Sequence, residues 1–225
     1  MKALTQLRER GKERYGLALT LILASMVFIM AAPEGGWVSV ASLSLQAAAL
    51  FASLRAAQPS FKLRVALGIT IGLVIAVAWT QASFGDQVDS GYVDIATLAL
   101  VLVAAPVITW GLIRQVRERG AITIHTMLGV LCIYLLMSLA FASAFAAVTQ
   151  ISGDPFFSEG TDWDTINNYL YFSLTTITTV GIGDLTPATD LGRSLTAAEA
   201  LLGQIYLVTV VAVIVANLRP RKKVG

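Results

Sequence analysis

The chain of 225 residues is poor in charge, with Asp, Glu, Lys and Arg making up 13% of it, and it has one cysteine and one histidine. Soluble chains carry about a quarter charged residues, so a soluble globular domain is excluded. Cys132 alone cannot form an intramolecular disulfide, and its place inside an apolar run reads as a buried, inert thiol. His125 alone has nothing to pair with for a metal. It reads as an interfacial polar residue, with a sensor of near-neutral pH as the functional alternative. No nucleophile–base pair, metal cluster or phosphate loop can be assembled, so nothing supports an enzyme or a cofactor.

Apolar residues dominate instead, at 56%, and they fall into six runs: roughly 16–32, 37–54, 65–84, 92–113, 122–148 and 194–218. Each approaches or exceeds the ~20 residues a helix needs to cross the hydrocarbon of a bilayer. The expected fold is an all-α membrane protein with six transmembrane helices and no soluble domain. Two blocks are expected. Residues 1–119 hold four spans joined by short loops such as Pro33–Gly36, and residues 120–225 hold two spans flanking a gap of about 45 residues. The basic start followed by an apolar run ending in Ala31-Ala32 resembles a signal peptide, but the length of the run points to an uncleaved first span.

Charge sets the orientation. Of the 16 Lys and Arg residues, 15 lie before the first span, in the second and fourth gaps, or after the last span; Arg193 alone lies on the other side. The positive-inside rule then places both termini in the cytoplasm and the long gap outside. Basic residues split among short membrane loops mark topology and not a nucleic-acid face. Trp37, Trp79, Trp110 and Trp163 fall near span ends, as an interfacial belt does.

The long gap has structure to offer. After Ser152-Gly153-Asp154-Pro155 comes Thr161-Asp162-Trp163-Asp164, which predicts a helix N-terminus with acids at its positive end. A segment from Thr165 to Ile177 follows, too short to span, and leads into Thr178-Thr179-Val180-Gly181-Ile182-Gly183-Asp184. A run of this shape can align successive backbone carbonyls as a substitute hydration shell for a dehydrated K⁺ ion. Its glycines supply backbone conformations that a β-carbon penalises. A re-entrant half-helix aims its negative end at the middle of the membrane, which favours a cation there.

From Asn168 to Pro187 the sequence resembles the pore helix, filter and following Asp-x-Thr-Pro of the pore-loop potassium channels, and the likeness extends through the last span, with Gly203 at 24 residues after Thr179. It covers residues 120–218. The resemblance implies K⁺ sites at the carbonyls of Thr179, Val180, Gly181 and Ile182 and the Thr179 hydroxyl, with Gly183 ending the filter. It also implies a homotetramer, since one chain holds one filter strand, with Gly203 as a hinge and Thr175 supporting the filter. Ile182 stands where tyrosine is commoner. The carbonyl coordinates, so selectivity is expected to survive, but the tyrosine hydroxyl that ties filter to pore helix is missing.

The first four spans resemble the six-span layout without its voltage sensor. The fourth, Tyr92 to Ile113, has no Lys or Arg; Arg114, Arg117 and Arg119 follow it as a cytoplasmic anchor. Asp94 reads as a helix-start residue. Steep voltage gating is not expected, nor a ligand-binding domain after the last span. Glu199, an acid well inside a span, is a functional candidate by default. It either bonds pore-helix hydroxyls or filter backbone and couples pH to filter gating, or it is a static bracket. Asp184 resembles the outer-mouth acid, either concentrating cations or bonding behind the filter. Asp154, Glu159, Asp162, Asp164 and Asp190 could extend a negative vestibule, though each alone reads as a solvated loop acid. Gln204, Val211 and Val215 are candidate cavity positions. The expectation is passive K⁺ conduction in a prokaryotic plasma membrane, with the bilayer, K⁺ and three further copies as partners. The alternatives are a weakly selective cation channel, a K⁺ uptake subunit (which needs four pore loops per chain), and a non-conducting scaffold or regulatory subunit.

Overall fold

The computed structural model describes residues 14–31, scattered helical positions between 41 and 79, and residues 124–217. Of the expected second and third spans only scattered positions are therefore described. The fourth span, Asp94, Trp37, Trp110, the Arg114–Arg119 cluster and the Pro33–Gly36 loop lie outside the described residues. All regular elements among the described residues are helical: α1 (Arg14–Ala31), α2 (Ile124–Ser152), α3 (Ile166–Ile177) and α4 (Asp190–Asn217). A short 3₁₀ turn, Thr161–Trp163, precedes α3.

The first, fifth and sixth expected spans are thus helices, with ends shifted by a few residues. Met127–Ser152 and Asp190–Val213 are each long and apolar enough to cross a membrane; Gly16–Ala31 is shorter. α2 has no proline and no charge after His125, so nothing interrupts it until Gly153. There φ turns to +73°, and the Gly153 amide returns to the Thr149 carbonyl at 2.9 Å. That is how a left-handed glycine ends a helix. α4 starts on a side-chain cap, the Thr189 hydroxyl accepting the Gly192 amide at 3.1 Å.

α2 is the centre of the packing and lies against α1, α3 and α4. From α1 it buries Ala18, Ile22, Met26 and Ile29, a stripe at helical spacing, while Leu17, Leu23, Val27 and Met30 face outward. Toward the C-terminal end of α2, Phe145, Phe156, Phe157, Tyr169 and Phe172 form a ring cluster, with centroids 4.7 Å apart for Phe145–Phe156 and 5.4 Å for Phe157–Tyr169. This cluster fastens the loop after α2 onto α3. The same loop pairs with the segment beyond Asp184 through the isolated bridge Phe157–Pro187.

The expected helix start at Thr161–Asp164 is corrected. Thr161–Trp163 turn as a 3₁₀ helix, and the N-cap is Thr165, extended at φ −111°, ψ 153°, whose hydroxyl accepts the Asn168 amide at 3.3 Å. Asp164 does not serve the helix end. Its carboxylate accepts the Phe156 amide at 3.1 Å, because the 3₁₀ turn carries it toward the preceding loop.

Candidate functional site

α3 has 12 residues, about 18 Å at 1.5 Å per residue, and cannot cross a bilayer. It stops at Thr178, and the chain then changes hand at every second residue. φ is +60° at Thr179, +54° at Gly181 and +82° at Gly183, with Val180 and Ile182 between them on the ordinary side. Thr179 is the sole non-glycine with positive φ among the described residues. A β-branched residue held there carries strain of about 1–3 kcal/mol and persists only where its surroundings impose it.

The surroundings are hydrogen bonds back to α3. The Thr179 amide donates to the Thr176 carbonyl at 2.9 Å, and the amides of Val180 and Gly181 both donate to Thr175 at 2.9 and 3.1 Å. Alternating hand turns successive peptide units the same way, so when the amides face one side the carbonyls face the other. The carbonyls of Thr179, Val180, Gly181 and Ile182 accept no hydrogen bond among the described residues. Val180 and Ile182 are 63% and 60% exposed in the single chain. Beside them runs an open groove of about 350 Å³ lined by Phe172, Thr175, Ile182, Thr196 and Ala200 among others.

The end of α3 is closed. Leu174 accepts the Thr178 amide and hydroxyl, Thr175 and Thr176 accept the amides just named, and Ile177 accepts the Tyr134 hydroxyl at 2.7 Å. What reaches the space below is therefore the field of the aligned peptides and not open carbonyl oxygens.

Behind α3 lies a polar node. Ser138 (α2), Ser173 (α3) and Glu199 (α4) are each 0% exposed. Ser173 Oγ contacts Glu199 Oε1, donates to the Ser138 carbonyl at 2.7 Å and lies 2.9 Å from Ser138 Oγ. Glu199 Oε2 has no hydrogen-bond partner. One turn on, Gly203 is pressed against the last residue of α3: a β-carbon there would stand 2.5 Å from Ile177 Cγ1 and 3.0 Å from the Ile177 carbonyl oxygen. α4 is continuous through this position, so close approach is a reason for glycine independent of any bending. Tyr134, the donor to Ile177, stacks on Tyr206 of α4 at 6.0 Å, and Tyr206 donates to the Val130 carbonyl at 2.8 Å.

Beyond Gly183 side chains tie the chain at three places. Asp184 accepts the Tyr171 hydroxyl at 2.8 Å and the Leu185 amide at 3.1 Å. The hydrogen bond to Asp184 raises the Tyr171 phenol above its ordinary value. Glu159 accepts the Thr186 amide and hydroxyl at 3.3 and 3.2 Å, and Arg193 Nε donates to the Pro187 carbonyl. Glu159 and Asp164 thus have bonding duties where solvated acids were expected; Asp154, Asp162 and Asp190 are exposed. Gln204 and Val211 lie on the exposed side of α4, and the side chains of His125 and Val215 lie outside the description.

The structure therefore gathers Thr175, Thr179–Asp184, Glu199 and Gly203 around the end of α3. Sequence reasoning missed Tyr134, Ser138, Ser173 and Tyr171. A signal existed for the first two: they sit four residues apart, on one face of an otherwise apolar helix.

Residues 130–219, 90 of the 225, match the family model described as "Ion channel". The match runs from α2 to just past α4 and supports an ion channel. No curated protein and no solved structure gives a significant match.

Proposed function

We propose that this chain is one subunit of a homotetrameric, K⁺-selective channel that conducts passively across the plasma membrane. The observation that carries the reading is the 179–183 segment: φ positive at every second residue, and four successive carbonyls without a partner among the described residues. A row of carbonyls can replace the hydration shell of a dehydrated cation. One chain offers a single row, and four rows about an axis surround the ion. Val180, Ile182 and the groove beside them then pack against neighbouring copies, where their exposure in the single chain ends.

In this reading residues 120–225 form the pore, with α2 outside, α3 re-entrant and α4 lining the cavity through positions such as Gln204 and Val211. Residues 1–119 form a four-span domain without gating arginines, so steep voltage dependence is absent, and both termini are cytoplasmic. Thr179, Val180, Gly181, Ile182 and Gly183 bind K⁺; Asp184 shapes the outer mouth; Thr175, Glu199 and Gly203 support the filter. The hydroxyl that Ile182 lacks is compensated one residue pair away, where Tyr171 of α3 reaches Asp184.

The test is a reversal-potential measurement in mixed K⁺ and Na⁺ on the full chain in liposomes. A reversal potential near that of K⁺, with block by Ba²⁺, is expected. Equal K⁺ and Na⁺ permeability would replace the reading with a weakly selective cation pore, and no flux at all with a scaffold.

A further inference from the structure

The node behind α3 can be counted in protons. Ser173 Oγ has one hydrogen and three oxygen neighbours: the Ser138 carbonyl, Ser138 Oγ and Glu199 Oε1. A carbonyl cannot donate, so the 2.7 Å contact with Ser138 holds the Ser173 proton. The Ser138 hydroxyl can supply the proton of the 2.9 Å contact. The contact with Glu199 is then left without a hydrogen unless the carboxyl brings one.

We infer that Glu199 is the hydrogen-bond donor to Ser173 Oγ, a carboxylic acid in the folded chain, and that through this bond it is a positioning residue for the ion-conducting segment. The surroundings agree. Glu199 is fully buried, and among the described residues none of its oxygens meets a cation. Among the described residues the elements packed against it bring only neutral groups: Tyr134 and Ser138 from α2, and Ser173 from α3. Arg193, on its own helix, is exposed and bound to the Pro187 carbonyl. A buried carboxylate with no cation and one bare oxygen is the costly arrangement, whereas a carboxylic acid leaves only a neutral carbonyl oxygen at Oε2. All three side chains are buried within one chain, so the assignment does not depend on what covers the exposed faces.

The consequence is positional. Ser173 stands two residues before Thr175, whose carbonyl holds the amides of both Val180 and Gly181. With Ser138 behind and Glu199 beside it, Ser173 pins this turn of α3 between α2 and α4. A donor does this work; a negative charge does not. The positional claim rests on the channel reading above, but the protonation claim does not.

Two measurements on the full chain in a bilayer test the inference. Infrared spectra at neutral pH should show the C=O stretch of a protonated carboxyl that vanishes in Glu199→Gln and shifts in Ser173→Ala. Absence of that band from the unmodified protein overturns the assignment, whether or not the chain conducts. In liposome flux, Glu199→Gln keeps a donor and should hold the K⁺:Na⁺ permeability ratio within about twofold of the parent. Glu199→Met fills a similar volume without a donor, and it should lower the ratio about tenfold, the scale of one lost buried hydrogen bond. Wild-type behaviour from Glu199→Met, or loss of selectivity in Glu199→Gln, overturns the positioning role. A parent protein that shows the band but no K⁺ flux sinks the channel reading alone.

Discussion

The 179–183 segment has two sides built on opposite terms. Toward α3 the amides of Thr179, Val180 and Gly181 are satisfied by the carbonyls of Thr175 and Thr176, and α3 is itself bonded to α2 through Tyr134 and Ser138 and meets Glu199 of α4 through Ser173. On the other side four carbonyls have no partner among the described residues and two large apolar side chains are exposed. A folded chain leaves few polar backbone groups unmet, so the asymmetry separates two tasks. Support is built within one chain, from backbone bonds braced by side chains. Recognition is incomplete within one chain and uses backbone. Substitutions on the two sides should therefore fail differently.

The largest effect is expected on the open side. Gly181→Asp puts an L-residue at φ +54° and a carboxylate among the carbonyls. The backbone term alone costs about 1–2 kcal/mol, which the support side can absorb. K⁺ flux in liposomes should be abolished while the protein still purifies as an intact tetramer. Continued K⁺-selective flux would count against the 179–183 segment as the filter. On the support side Gly203→Ala drives a β-carbon into Ile177, with 3.0 Å to its carbonyl oxygen. Overpacking of this kind costs about 1–3 kcal/mol, so thermal stability should drop and flux should fall without vanishing. An unchanged melting temperature would show that α3 can move away freely. Tyr134→Phe is milder. It strips the donor from the Ile177 carbonyl but keeps the ring on Tyr206, a loss of about 1 kcal/mol, read as a small downward shift in melting temperature with selectivity retained.

The sequence carries these two sides unequally. The open side is legible because its chemistry is backbone chemistry: glycine at alternate positions is a direct statement about φ. The helices could be read from their apolar runs, and the stop of α2 from Gly153. The support side is made of ordinary side chains whose partners are 35 residues away for Ser138–Ser173 and 43 for Tyr134–Ile177. No local pattern announces such pairs. Glu199 stood out only because an acid inside a span is expensive, and it led to the node without naming its members. Gly203 shows the reverse. The resemblance supplied a hinge, and the packing against Ile177 supplies a reason the sequence cannot show. Asp164 was misjudged because a 3₁₀ turn and an α-helix start share the same residue types, and tertiary position decides between them.

The smallest effect is expected where the two sides meet, at the Tyr171–Asp184 bond just past Gly183. Both groups are at the surface, so Tyr171→Phe should change flux only slightly at neutral pH. Its pH dependence is more telling than its size. The bond raises the Tyr171 phenol above its ordinary value of about 10. A group whose value is raised on folding contributes stability that is fully present below the unfolded value and lost as pH climbs through the folded one. The gap between the parent and Tyr171→Phe should therefore stay constant from about pH 6 to 9 and close only above about pH 10, where the phenolate and Asp184 repel. Thermal melts of both proteins across that range decide it. A gap that closes at lower pH would mean that a different titrating group, and not this phenol, holds the outer end of the segment.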